Sequence, residues 1–207
     1  MIKSNLAQGE KLYTIEEYLA FERASEEKHE YIDGRIVPLH GDYEVMAMAG
    51  ASRKHNLIGT NTGTEIRFQL KGKNCETYIS DMRVRTKPNR YGYPDVVVVC
   101  GEPKFADEEF DVLLNPTVIV EVLSPSTRFR DKTEKLDDYQ KMENLKECLL
   151  IEQAEMHIEQ FIKQTPTQWL LRIYENAAEE INIESINCKI SVADIYAQVT
   201  FEAAEES

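Results

Sequence analysis

Two stretches of this chain are nearly continuous in β-branched and other apolar residues, and they constrain the fold more than any other feature. They are Tyr93-Pro94-Asp95-Val96-Val97-Val98-Val99 and Thr117-Val118-Ile119-Val120-Glu121-Val122-Leu123. A strand with one wet face alternates apolar and polar residues, whereas a strand covered on both faces reads as an unbroken apolar run. The sequence therefore predicts central strands of a sheet flanked by helices. Each run also carries one acid, Asp95 or Glu121. An ionised carboxylate in apolar surroundings is costly unless it is paired or bound to metal. The segments that define the core thus also mark a candidate site.

Cap and turn chemistry places the surrounding elements. Thr14-Ile15-Glu16-Glu17 fits a capping box, with Tyr18, Leu19 and Phe21 as the apolar side of a short helix. Residues 29–32 and 35–39 flank Asp33-Gly34 and read as a β-hairpin on a type I′ turn. Residues 41–50 read as a loop, and Ser52 can cap a helix running to about Leu70, with Leu57, Ile58, Ile66 and Leu70 toward the core. Strands are expected over 76–79, 82–85, 148–151, 156–163 and 168–174. A helix is expected over 131–142, with Leu136, Tyr139 and Met142 on one face. Ser191 caps a short last helix. No internal repeat or low-complexity linker interrupts the 207 residues. One mixed α/β domain is expected, with flexible ends at 1–12 and 201–207.

No apolar run exceeds the length of Val96-Val97-Val98-Val99-Cys100, far below the roughly 20 residues that span a bilayer. No apolar signal-like segment occupies the N-terminus, so a soluble cytoplasmic protein without membrane attachment is expected. Cys75, Cys100, Cys148 and Cys188 have no C-x-x-C spacing. They read as reduced cysteines serving as small apolar residues. The net charge of −13 argues at first against a polyanionic partner, but it conceals a segregation. Between residues 52 and 90 lie nine bases (Arg53, Lys54, Arg67, Lys71, Lys73, Arg83, Arg85, Lys87, Arg90) and three acids (Glu65, Glu76, Asp81). A basic strip on an acidic body is compatible with a phosphate-backbone binder, and equally with solvated helix and hairpin rims.

Two converging carboxylates on neighbouring strands form a hard, oxygen-rich site suited to Mg²⁺ or Mn²⁺ rather than zinc. Pro94-Asp95 followed by Glu121-Val122-Leu123 resembles the PD-(D/E)XK motif of restriction-endonuclease-like nucleases. The wider context resembles the Uma family within that superfamily, long catalogued as a domain of unknown function. Tyr13-Thr-Ile-Glu-Glu-Tyr18, Glu30-Tyr-Ile-Asp-Gly34, Gly50-Ala-Ser-Arg-Lys-His55, Ser80-Asp81, Tyr93 to Val99 and Ile119-Val-Glu-Val-Leu-Ser-Pro-Ser-Thr127 carry the likeness. It extends from about Tyr13 to Tyr174. The superfamily pattern has a lysine two residues after the acid, where this chain has Leu123. The resemblance implies that the lysine has moved to the following helix. Lys135 is the first choice and Lys132 the second.

The resemblance implies an α/β fold with a restriction-endonuclease-like mixed β-sheet core flanked by helices and an N-terminal helix-hairpin extension. It implies a Mg²⁺-dependent (or Mn²⁺-dependent) endonuclease acting on DNA. Asp95, Glu121, Lys135 and His55 are the expected catalytic residues, and Asp95, Glu121 and Asp81 the expected metal ligands. Arg53, Lys54, Arg83 and Ser124 are the expected nucleic-acid contacts. Glu30 and Asp131 also match family positions, where they serve either the fold or the site. One site per chain would need two copies to cut both strands, so a homodimer is an expectation. The alternative is a catalytically inactive nuclease-fold binding module, which Leu123 and the acidic charge favour. A serine hydrolase using Ser124 or Ser126 is disfavoured, because no Gly-x-Ser-x-Gly elbow exists and Pro125 is wrong for that turn.

Overall fold

The structure is a computed structural model that describes residues 11–39, 51–125 and 128–201. The loop expected over 41–50, together with Ser126 and the acidic tail at 202–207, lies outside the described residues. In chain order the elements are α1 (Ile15–Ala24), β1 (His29–Ile32), β2 (Arg35–Pro38), α2 (Arg53–Gln69), β3 (Cys75–Ile79), β4 (Arg83–Lys87) and β5 (Arg90–Gly92). Next come β6 (Val96–Cys100), β7 (Val112–Leu113), β8 (Val118–Leu123), α3 (Arg128–Arg130), a π-helical turn (Asp131–Lys135) and α4 (Leu136–Lys141). The chain closes with β9 (Glu147–Glu152), β10 (Ile158–Thr165), β11 (Gln168–Tyr174), β12 (Glu180–Ile183), β13 (Cys188–Ser191) and α5 (Val192–Ile195).

The two apolar runs form β6 and β8, adjacent in the interior of a six-stranded sheet ordered β11-β10-β9-β8-β6-β3. Its neighbours are antiparallel except for the parallel pair β8–β9. Side chains alternate across a strand, so each run supplies both faces. Val96, Val98, Val118 and Val120 pack with Ile58 and Ile66 of α2, with Leu70 at its C-cap, and with Val192 and Ile195 of α5. Val97, Val99 and Ile119 face the other way, against Tyr139, Met142 and Leu145. Burial on both sides explains the near absence of polar residues in these strands.

The N-terminal hairpin β1–β2 joins the mid-chain strands β5, β4 and β7 in a five-stranded sheet ordered β2-β1-β5-β4-β7. The capping box of α1 is complete: Glu17 N–H donates to Thr14 Oγ1, and Thr14 N–H donates to the Glu17 carboxylate. Tyr18 is buried with Tyr31, Tyr91 and Val112. Phe21 departs from expectation and is exposed, while Glu22 turns inward. Glu22 is held there by the His29 backbone N–H at 2.9 Å and the Tyr93 hydroxyl at 2.7 Å, which offset its desolvation. Asp33 and Gly34 take φ of 48° and 93°, the doubly positive pattern of a type I′ turn.

Three further differences have physical reasons. Cys75 and Cys100 are opposite one another in the β3–β6 register and form a disulfide. The expectation of four reduced cysteines therefore fails for this pair and holds for buried Cys148 and Cys188. The strands at the C-terminal end include a further hairpin, β12–β13, whose connection needs Asn187 at a φ of 50°. The expected 131–142 helix begins earlier, at Arg128, and contains the π turn, in which Leu136 N–H reaches back to the Asp131 carbonyl. Among the described residues no helix is long and apolar enough to cross a membrane.

Candidate active site

Asp95 immediately precedes β6, and Glu121 lies within β8. Val96 pairs with Val120 across the two strands, so the next step along each brings the two acids alongside. The Val122 backbone N–H donates to Asp95 Oδ2 at 2.7 Å. That bond fixes the Asp95 carboxylate against the strand bearing Glu121. Glu121 itself is only 3% exposed.

The helical segment over β8 completes the cluster. Lys135 Nζ lies 3.2 Å from Glu121 Oε1, 3.0 Å from Asp131 Oδ1 and 3.5 Å from Glu30 Oε1. The Tyr139 hydroxyl donates to the same Glu121 oxygen, and Arg130 pairs with Glu30. Three carboxylates, from Glu30, Glu121 and Asp131, thus share the two cations Lys135 and Arg130, and Asp95 adds a fourth negative charge near Glu121. Burial and the neighbouring acids act together on Glu121. Burial pushes the Glu121 carboxyl up to about 8 against the opposing pull of Lys135, and Asp131 and Asp95 push it the same way. Burial pushes the Lys135 ammonium down, but Glu121 and Asp131 more than offset this and hold it above the usual lysine value.

His55 reaches the site from the first turn of α2. Ser52 caps that helix by accepting from His55 N–H at 3.1 Å, and its hydroxyl donates to Gln153 Oε1 at 2.6 Å. Gln153 N–H in turn donates to the Leu123 carbonyl at 3.3 Å, so the start of α2 is tied to the ends of β8 and β9. His55 Nε2 is 3.4 Å from Asp95 Oδ2. Burial pushes the imidazole pKa down, but the bond to Asp95 and its charge raise it further, for a net upward shift.

The structure thus brings Asp95, Glu121, Lys135 and His55 together. Lys132 points elsewhere, to Glu159 at 2.9 Å and Glu152 at 3.0 Å. Asp81 stands apart from the cluster: its side chain is 81% exposed and pairs with Lys28. Arg83, expected to contact nucleic acid, is 5% exposed and donates to the Tyr93 hydroxyl at 2.8 Å. Its burial removes it from the surface where a phosphate could meet it. Arg53 is exposed at the start of α2, where Nη1 donates to the Gln198 carbonyl at 3.4 Å, and Lys54 beside it is half-buried. Ser124 is half-buried at the end of β8, and its carbonyl accepts from Arg128 N–H at 2.8 Å. Part of the basic strip is neutralised internally, since Lys87 and Arg90 both pair with Asp138.

Tyr139 and Arg130 were not among the site residues expected from sequence. Tyr139 sits on the apolar face of its helix, so periodicity assigns it to the core. A tyrosine buried opposite an acid-bearing strand was the available signal, because a buried phenol needs a polar partner. Asp131 and Glu30, left open between fold and site, both contact Lys135.

The sequence matches the Uma2 family model, described as "Putative restriction endonuclease", over residues 15–193. Two proteins of Synechocystis sp. are similar along most of their length. One, "Uncharacterized protein sll1609", is 36% identical over 179 residues, covering 85% of this chain and 96% of that protein. The other, "Uncharacterized protein slr1290", is 32% identical over 187 residues, covering 90% and 92%. Among solved structures, a protein from Anabaena variabilis titled "putative nuclease belonging to DUF820" superposes with a TM-score of 0.68 at 17% identity. The alignment covers 90% of this chain and 99% of that one, and it shows a shared restriction-endonuclease-like fold. By the extent of the family match, the chain belongs to the Uma2 family of restriction-endonuclease-like proteins.

Proposed function

We propose that this protein is a metal-dependent endonuclease that hydrolyses phosphodiester bonds of DNA. One observation carries the reading: Lys135, supplied by the following helix, lies 3.2 Å from Glu121 beside the strand-bound Asp95. The ammonium thereby occupies the neighbourhood that a lysine two residues after the acid would have served, while Leu123 is buried. The long flexible stem of lysine makes such a relocation physically straightforward.

The donor set fits a hard divalent cation. Among the described residues no three His, Cys, Asp or Glu side chains form a ready metal cluster. Mg²⁺, however, is commonly held by one or two carboxylates, with waters and phosphate oxygens completing its shell. Asp95 and Glu121 would hold it, and the surplus of negative charge around Lys135 favours it. When bound, such an ion polarises a phosphoryl oxygen and lowers the pKa of an attached water. The protein's own groups do the remaining work. Tyr139 and Lys135 fix the orientation of Glu121, and Asp131 and Glu30 fix Lys135. The Lys135 ammonium orients the attacking water and offsets charge developing on the phosphoryl oxygens. His55, 3.4 Å from Asp95, serves as a phosphate contact or acid–base group. Arg53 and Lys54, beside it on α2, would contact the DNA backbone, so binding should weaken with salt.

Nicking of supercoiled plasmid with Mg²⁺, Mn²⁺ or EDTA tests the proposal. Wild-type activity should require the metal and be lost in Asp95→Asn, Glu121→Gln and Lys135→Met. Retention in Lys135→Met with loss in Lys132→Met would move the lysine role to Lys132. Metal-independent cutting, or cutting that survives Asp95→Asn and Glu121→Gln, would refute the mechanism. Metal binding without cleavage would favour the binding-module alternative.

A further inference from the structure

The six-stranded sheet ends in two edges of different character. At one end β3 is five residues long, carries Glu76, and is covalently joined to β6 through Cys75–Cys100. At the other end β11 is seven residues long, Gln168-Trp-Leu-Leu-Arg-Ile-Tyr174, and among the described residues pairs with β10 on one side only. Along its outer side, alternate residues present backbone N–H and C=O groups that no described strand pairs, a template for a further strand. Leu170, Leu171 and Ile173 are 41%, 44% and 50% exposed. In the pairing with β10, Leu171 lies opposite Phe161 and Ile173 opposite Glu159, on one face, while Leu170 lies opposite Ile162 on the other.

The usual protections of an exposed edge are missing from this strand. It has no proline and no lysine, and the register shift of the hairpin falls near the turn, between Lys163 and Thr165. Its one charge, Arg172, is occupied by Glu184 at 3.2 Å. In a chain of net charge −13 this strand has no carboxylate. Two copies of a chain with this net charge repel one another, and the repulsion is reduced along a strand that contributes no carboxylate and whose one cation is paired within its own chain.

From these features we infer that β11 is the homodimerisation edge, pairing antiparallel with β11 of a second copy about a two-fold axis. Antiparallel pairing of a strand with itself is isologous and closes after two copies. The two six-stranded sheets become one continuous sheet, and Leu170, Leu171 and Ile173 pack against their equivalents on both faces. Nothing in this inference depends on the chemistry proposed for Glu121 and Lys135.

Sedimentation velocity over a range of concentrations tests it, with the full chain and the double variant Leu171→Lys/Ile173→Lys. Wild type should sediment as a species of twice the 23.9 kDa chain mass, and the variant as a monomer with unchanged far-UV circular dichroism. A second measurement guards against misfolding of the variant. Single cysteines placed by Leu170→Cys, Leu171→Cys and Arg172→Cys should include at least one that crosslinks two copies under mild oxidation, whereas Lys189→Cys should not crosslink. A wild-type monomer at every concentration would overturn the inference. So would a dimer that persists in a folded double variant without crosslinking from any β11 position.

Discussion

Replacing Glu121 by glutamine should make the protein more stable, by an amount that grows with pH. The wild-type carboxyl is buried, and its pKa rises from 4.5 to about 8 on folding. An acid whose pKa is raised by folding binds its proton more tightly in the native state. Its contribution to stability is therefore complete below the unfolded pKa and is lost as pH rises through the folded one. Glutamine keeps nearly the same shape, can still accept from Tyr139 and Lys135, and does not titrate. The stability difference between Glu121→Gln and wild type should thus widen by about RT ln 10 per pH unit, roughly 3 kcal/mol between about pH 5.5 and 8. Paired urea melts at each pH, followed by circular dichroism in EDTA, measure it. Subtracting wild type from variant cancels the acids remote from Glu121. A difference that stays flat, or shrinks as pH rises, would mean that Glu121 is already ionised at the acidic end and would refute the reasoning. The same substitution should abolish nicking, so stability and activity move in opposite directions, as expected where a site retains an unfavourable buried charge.

Other substitutions probe separate parts of the argument. Tyr139→Phe removes a hydrogen bond to buried Glu121 and should destabilise the fold by about 1–3 kcal/mol in urea melts, while lowering the nicking rate more than plasmid affinity. Cys75→Ser/Cys100→Ser opens a loop of 25 residues' separation and should lower stability by about 3 kcal/mol; dithiothreitol should have the same effect on wild type and none on the variant. Gly34→Ala forces a Cβ into a φ of 93° and to within 3.2 Å of the Leu12 Cβ. It should cost about 1–2 kcal/mol, read as a lower urea midpoint with unchanged m-value.

Much of this fold is legible residue by residue because the controlling interactions are local. Thr14 and Glu17 specify a helix start by reciprocal bonds within four residues, and Asp33-Gly34 specifies a turn by its tolerance of positive φ. The valines of β6 and β8 announce two-sided burial, and the acids among them announce a site because their cost has no local remedy. Features that depend on pairing across distance were hidden. The disulfide depends on the register of β3 against β6, which cysteine spacing does not encode. Burial of Arg83 depends on Tyr93 and Asp111, ten and 28 residues away, so its charge reads as surface until those partners are known. Lys135 could be singled out from Lys132 only by resemblance. The geometric reason is that one ammonium turns to β8 and the other to Glu152 and Glu159.

The π turn at Asp131–Lys135 makes this helical segment one residue longer than an ordinary helix spanning the same distance. Helical phase advances about 100° per residue, so the turn acts as a phase adjuster between the two ends of the segment. Arg128 pairs with Glu152 at one end, and Tyr139 meets Glu121 toward the other. Deleting Thr133 would allow a regular helix to re-form, but it would turn one end by about 100° relative to the other. Glu152 and Glu121 could then not both keep their partners. A length change of one residue, harmless to helix formation itself, would separate the anchoring of this segment from the alignment of its lysine.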